Sequence, residues 1–152
     1  MIKKGSILLV EDNPMDIELT LNAFEEIPLD YEIYVLKSGE EALDYLFGRK
    51  EFSDRQKYPL PDVVLLDIKL PGISGIDALK TIKTTPIFKR LPVIIFTSSQ
   101  EKKDLIMGYD FGANSYLDKP VSFENFLTSI RTFAEYWLTQ NIKPPLDTNK
   151  LE

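Results

Sequence analysis

The 152-residue chain contains no cysteine and no histidine, and these two absences remove much of the usual catalytic repertoire. Without cysteine there is no disulfide frame, no thiol nucleophile and no thiolate metal site. Without histidine, Ser-His-Asp and Cys-His catalysis, His-containing zinc sites and a phosphohistidine carried by the chain itself are excluded. No stretch approaches the roughly 20 apolar residues that cross a bilayer. The opening Met1-Ile2-Lys3-Lys4-Gly5 runs into an expected strand too soon for a secretory signal. Both features predict a cytoplasmic protein with no membrane partner. Positive charge is also scarce: 18 Lys and Arg face 24 Asp and Glu, for a formal net charge of -6. That balance disfavours nucleic acid as a direct partner. Carboxylate, hydroxyl, amine and a hard metal ion remain available for chemistry.

Four short apolar runs each end on a polar residue. Ile7-Leu8-Leu9-Val10 leads into Glu11-Asp12, and Val63-Val64-Leu65-Leu66 into Asp67. Val93-Ile94-Ile95-Phe96 leads into Thr97, and Ser115-Tyr116-Leu117-Asp118 into Lys119-Pro120. Apolar runs of this length, bounded by turn signals, fit strands buried on both faces of a parallel sheet. The carboxyl ends of such strands share one edge, where ligands bind. Three carboxylates, a hydroxyl and an ammonium are therefore expected in one pocket.

Between the runs lie helical patterns, so the expectation is an α/β domain of five strands and five helices. Asn13-Pro14 reads as an N-cap with proline in the first helical turn, before Ile17, Leu21, Phe24 and Ile27. Tyr31 to Leu36 is a further strand, and Ser38 caps a helix that stops at Gly48. Residues Arg49 to Pro61 read as a solvated polar loop. Leu70 to Gly75 is a turn before a helix carrying Ile76, Leu79 and Ile82, and Ser99 is placed as cap of a helix with Leu105, Ile106 and Tyr109. Ser122 starts the last helix, whose stripe is Phe126, Leu127, Ile130, Phe133 and Trp137. No interdomain linker is evident. The domain is placed at residues 4–138 and a flexible tail at residues 139–152.

Glu11, Asp12 and Asp67 on one edge would repel one another, and a divalent cation relieves that repulsion. Oxygen donors without histidine or cysteine favour Mg²⁺. With Mg²⁺ and the Lys119 ammonium, the three negative charges are neutralised, and the pocket can then take a phosphoryl group. Asp67 is the nucleophile expected there, since carboxylates form aspartyl phosphates.

Glu11-Asp12, Asp67, Thr97 and Lys119-Pro120, each after its strand, resemble the receiver domain of two-component response regulators over about Lys4 to Trp137. That resemblance implies a flavodoxin-like (βα)5 three-layer sandwich with a parallel sheet in the order 2-1-3-4-5. It implies phosphorylation of Asp67 by a sensor histidine kinase. Mg²⁺ would be held by Asp12, Asp67 and the backbone carbonyl of Lys69, with Glu11 acting through a metal-bound water. Thr97 and Tyr116 would be the switch residues, Lys119 the phosphate partner, and Pro120 a cis proline. The long 49–61 segment, the aromatic Phe133, Tyr136 and Trp137, and the lack of an output domain resemble stand-alone receivers associated with phytochromes. Such a protein is not an enzyme beyond its own phosphorylation and dephosphorylation. Its output would be contact with a downstream protein or onward transfer of phosphate.

Three rival functions fit the same residues less well. An aspartate-nucleophile phosphatase usually has a second aspartate two positions on, where this chain has Lys69. A flavin carrier needs neutral donors where Glu11-Asp12 stand. A phosphate-independent binding module has no use for so complete an acidic set. Tyr136 and Leu138 fall off the core stripe of the last helix, so a homodimer through helix four, strand five and helix five is also expected.

Overall fold

A computed structural model of the chain describes residues 5–146. In chain order its elements are β1 (Gly5–Val10), α1 (Pro14–Glu25), β2 (Tyr31–Leu36), α2 (Gly39–Phe47) and a 3-10 turn (Lys50–Phe52). Then follow β3 (Val63–Leu66), α3 (Gly75–Thr84), β4 (Val93–Thr97), α4 (Lys102–Asp110), β5 (Ser115–Asp118), α5 (Phe123–Glu135) and a π-helical turn (Tyr136–Gln140). The strands form one parallel sheet in the order β2-β1-β3-β4-β5, as the resemblance implied.

The central strands β1, β3 and β4 are buried along their whole length. Because side chains alternate across a strand, each run feeds two cores. Leu8, Val10, Val64, Leu66, Val93 and Ile95 pack with Ala42, Leu46, Leu79 and Ile82 of α2 and α3. Ile7, Leu9, Val63, Leu65, Ile94 and Phe96 pack with Ala23 and Phe24 of α1 and with Phe126, Ile130 and Phe133 of α5. Helices therefore cover both faces, giving the three-layer sandwich. The α5 stripe at i, i+4, i+7 and i+8 is Phe126, Ile130, Phe133 and Ala134. Edge contacts of Phe126 with Phe96 (5.2 Å between centroids) and of Phe133 with Phe24 (6.1 Å) fix its seat.

Four expectations are corrected. β5 is half-exposed, because it is an edge strand and lacks the second neighbour that buries β1, β3 and β4. On α4 the expected core residues face outward: Leu105 is 40 %, Ile106 49 % and Tyr109 52 % exposed. The helix lies on the sheet through Gly108 instead, where a Cβ would come within 2.8 Å of Ile95 Cδ1. The 49–61 segment is a built cover rather than a solvated loop. Phe52 is buried, and its ring and that of Tyr58 pack on Tyr45 at 5.2 and 5.9 Å. Arg55 donates to the carbonyls of Tyr45 (2.8 Å) and Leu46 (2.6 Å) at the end of α2, where a cation meets the last-turn carbonyls and the helix dipole.

The last correction concerns Leu138. Leu138 packs against the β1 side of the core beside Gly5, rather than pointing away from it. Lys143 pairs with Asp62 at 3.0 Å, and Leu146 packs against the other core. Residues 139–146 thus return beneath the sheet; residues 147–152, like Lys4, lie outside the described residues.

Lys83, near the end of α3, ties loops together below the sheet. Its ammonium donates to the carbonyls of Leu91 (2.6 Å) and Lys89 (3.2 Å) and to Asn114 Oδ1 (2.8 Å). Burial lowers this lysine from 10.5 to about 8. The folded state then releases the proton before the unfolded state does, so stability should rise with pH from about 8 towards 10.5. Tyr45, pushed up by burial from 10.0, opposes this only above its unfolded value. Urea midpoints measured from about pH 8 to 10, below the tyrosines' unfolded value, should climb in the wild type and stay flat in Lys83→Met; an equal climb in both proteins removes Lys83 as the cause.

Candidate functional site

Backbone hydrogen bonds carry the parallel ladder one residue past the strands. Glu11 N–H donates to the Leu36 carbonyl (2.9 Å), Asp67 N–H to that of Val10 (3.0 Å) and Lys119 N–H to that of Thr97 (2.9 Å). Register puts Val10 beside Leu66 and Leu66 beside Ile95. The residues that follow β1 and β3 consequently leave the sheet side by side, with their carboxylates on one edge.

Glu11 and Asp67 are buried, while Asp12 and Lys69 are exposed. The Lys119 ammonium reaches across from the end of β5 and contacts Glu11 Oε1 (2.5 Å), Asp16 Oδ2 (2.8 Å) and Asp67 Oδ2 (2.9 Å). Burial alone would lower the Lys119 ammonium. Its bonds to Asp16 and Glu11 and the charge of Asp67 outweigh that and hold it above the ordinary lysine range. Burial pushes the Glu11 carboxyl up to about 7 against the opposing hydrogen bond from Lys119. Asp67 Oδ1 also accepts from the Ile68 N–H at 2.7 Å.

Thr97 is buried and its Oγ1 accepts from the Ser99 N–H (3.3 Å). Tyr116 donates its hydroxyl proton to the Ser99 carbonyl (3.0 Å). The two expected switch residues therefore meet on the backbone of one loop residue. The Ser99 side chain donates to Asp104 Oδ2 (2.6 Å), and the N-cap of α4 is Glu101, not Ser99. The expectation of a cis proline is also corrected. No described peptide bond is cis, so Lys119-Pro120 is trans, the isomer favoured by about 0.5–1 kcal/mol before tertiary contacts intervene.

Asp16 and Gly75 escaped the sequence reading, and so did the bridging part that Ser99 plays. Asp16 joins Lys119 from the first turn of α1, and only its spacing after Asn13-Pro14 hinted at that. Ser99 bridges Thr97 and Tyr116 through main-chain atoms, which carry no sequence signal. Gly75 was read as part of a turn, yet it opens α3 and donates its N–H to the Ile68 carbonyl (2.8 Å).

Among the described residues no three acidic side chains converge as a ready cage for a metal. Lys119 explains this, because its ammonium stands among Glu11, Asp16 and Asp67 where a cation would otherwise draw them together. The donors are nevertheless all hard oxygens. Mg²⁺ keeps several waters and asks for only one or two carboxylates, so the set fits that ion.

The response regulator receiver domain family matches residues 7–131. The chain belongs to that family. The probable methanogenesis regulatory protein FilR2 of Methanothrix harundinacea is 38 % identical over 91 % of this chain and 86 % of its own. Response regulator Rcp1 of Synechocystis is 32 % identical over 87 % of this chain and 88 % of its own. The structure of the phosphorylated cyanobacterial phytochrome response regulator RcpA superposes with a TM-score of 0.88 at 31 % identity, covering 93 % of this chain and 99 % of that one. Receivers of this kind are signalling proteins that accept a phosphoryl group from a sensor kinase and bind Mg²⁺ or Mn²⁺ at the phosphorylation site.

The close approach of α3 to the Asp67 strand end can be tested directly. A Cβ on Gly75 would lie 2.0 Å from the Asp67 carbonyl oxygen and 2.8 Å from Ile68 Cα. Both are backbone atoms and cannot swing aside. Gly75→Ala should cost about 1–3 kcal/mol or more of stability, read as a lower urea midpoint. An unchanged midpoint would mean that the helix start moves freely.

Proposed function

We propose that Asp67 is the phosphoacceptor, that phosphohistidine of a sensor kinase is the donor, and that the protein works in the cytoplasm. The observation that carries this reading is the contact of Lys119 with Asp67 in a buried pocket, at 2.9 Å. As the phosphoryl group arrives, a bond forms between an Asp67 carboxylate oxygen and phosphorus while the donor's P–N bond breaks. The imidazole leaves with the electron pair and takes its proton from water. Lys119 then has a phosphoryl oxygen to hold in place of the lost carboxylate charge, and a charge-assisted hydrogen bond of this kind favours the transferred group. Asp12, Asp67 and the Lys69 carbonyl would hold Mg²⁺, with Glu11 acting through one of its waters. When bound, that ion neutralises charge on the transferring group.

Thr97 follows the phosphoryl group and Tyr116 follows the loop. Their shared bonds to Ser99 support this order, since a Thr97 hydroxyl turned towards phosphate gives up the Ser99 N–H. The output is a changed surface around α4, β5 and α5, presented to a downstream protein or a second copy. In favour of the dimer, Ile106 and Tyr109 of α4 and Tyr136 after α5 are 49 %, 52 % and 50 % exposed. A groove of about 510 Å³ also runs between β5 and α5, lined by Leu117, Thr132, Phe133, Tyr136 and Trp137.

Asp67→Asn keeps shape and removes the nucleophile. Labelling by phosphoramidate with Mg²⁺ should fall to background in that variant, and wild-type labelling there would take Asp67 out of its role. Sedimentation at micromolar concentration, with and without beryllofluoride and Mg²⁺, addresses the dimer. A monomer in both states rules it out, and a dimer that withstands Tyr109→Glu with Tyr136→Glu places the interface elsewhere.

A further inference from the structure

The site holds a fourth carboxylate that the receiver reading gives no task. Asp16 lies on the first turn of α1, 28 % exposed, with its Oδ2 at 2.8 Å from the Lys119 ammonium. Its place there follows from how the helix is capped. Asn13 is the N-cap and accepts from the Asp16 N–H at 3.1 Å, with Pro14 behind it in the first turn. An acidic residue at this third helical position ordinarily turns back to the N-cap N–H and completes a capping box. Here that N–H donates to Glu11 Oε2 at 3.2 Å. The Asp16 carboxylate is released from capping, and it points at Lys119 instead.

An ammonium has three N–H donors, and the three carboxylates of Glu11, Asp16 and Asp67 use all of them. Two of these partners change in the course of phosphoryl transfer. Glu11 serves the metal's water, and Asp67 ceases to be a carboxylate. Asp16 does neither, so it is the partner that stays. We infer that Asp16 is a positioning residue for phosphoryl transfer, anchoring the Lys119 ammonium from α1 so that its remaining N–H groups face Asp67. This rests on the proposed role of Asp67.

The anchor also bears on the charge of the pocket. Glu11, Asp12 and Asp67 are balanced by Mg²⁺ and Lys119, and Asp16 adds one negative charge at the ammonium. Removing it should leave metal binding in place and loosen the lysine. The conservative change Asp16→Asn keeps the shape and the backbone cap but weakens the hydrogen bond to Lys119. Asp16→Glu keeps the charge on a longer arm.

Labelling from phosphoramidate at saturating Mg²⁺ should be about tenfold slower in Asp16→Asn, the order expected for loss of one charge-assisted hydrogen bond, and recovered in part by Asp16→Glu. Half-saturation by Mg²⁺, measured by calorimetry, should stay within about twofold of wild type. In protein carrying ¹⁵N-lysine and bound beryllofluoride, the Lys119 ammonium signal, assigned by its loss in Lys119→Arg, should be protected from solvent exchange. That protection should fall in Asp16→Asn. Wild-type labelling together with an unchanged Lys119 signal overturns the inference. So does a loss of Mg²⁺ affinity that matches the loss of rate, which would put Asp16 with the metal ligands. Label that persists in Asp67→Asn overturns the reading underneath and is distinguished from both.

Discussion

The Lys119 ammonium is the constraint on which the site depends. It joins the end of β5 to the end of β1 through Glu11, to the end of β3 through Asp67 and to the start of α1 through Asp16. Glu11 and Asp67 are buried at the ends of neighbouring strands, and like charges so placed repel one another unless a cation lies between them. Such a buried cluster is weak evidence for stability, since desolvation offsets most of the attraction, yet removing one partner typically costs about 3–5 kcal/mol. Its value here is readiness: under the proposed reading, the carboxylate that reacts already lies 2.9 Å from the cation that would hold the product.

Sheet geometry brings these groups together before any of them interacts. Main-chain bonds from Glu11, Asp67 and Lys119 extend the ladder beyond the strands, so the side chains start from fixed positions. Gly75 lets α3 begin against the Asp67 carbonyl, and Asn13 fixes the first turn of α1. Strand register, a glycine without a Cβ and an N-cap together place three carboxylates around one ammonium. Each of these local features was set by backbone chemistry, and the electrostatics came afterwards.

Legibility followed the same division. The buried central strands and the set of Glu11, Asp67 and Lys119 could be read from the chain, because apolar runs that end on functional residues constrain both burial and position; the strand order came only with the resemblance to receiver domains. Asp16 could not be ranked, since a first-turn acid serves a capping box just as well. Only the diversion of the Asn13 N–H to Glu11 frees it. Leu105, Ile106 and Tyr109 misled for a related reason. Their spacing is helical, but a glycine on the same helix lets the backbone touch the sheet, and the large side chains are left outside. Arg55 was invisible as a cap because its partners are main-chain carbonyls, which carry no side-chain signal, ten and nine residues back along the chain.

The lightly seated α4 has a consequence for signalling within the proposed reading. An element with few buried side chains belongs to the low-stability end of a fold, where small free-energy changes move it. Gly108 is its only buried residue. Its entry loop is held by the bonds of Ser99 to Thr97, Tyr116 and Asp104. A net hydrogen bond contributes about 0.5–1.5 kcal/mol, so losing the Thr97 bond to phosphate is comparable to what a two-state loop needs to change its populations severalfold. The tightly packed α5 would not answer to so small a change. The division of labour between a rigid α5 and a loose α4 therefore puts the mobile part of the surface next to the residues that sense the phosphoryl group.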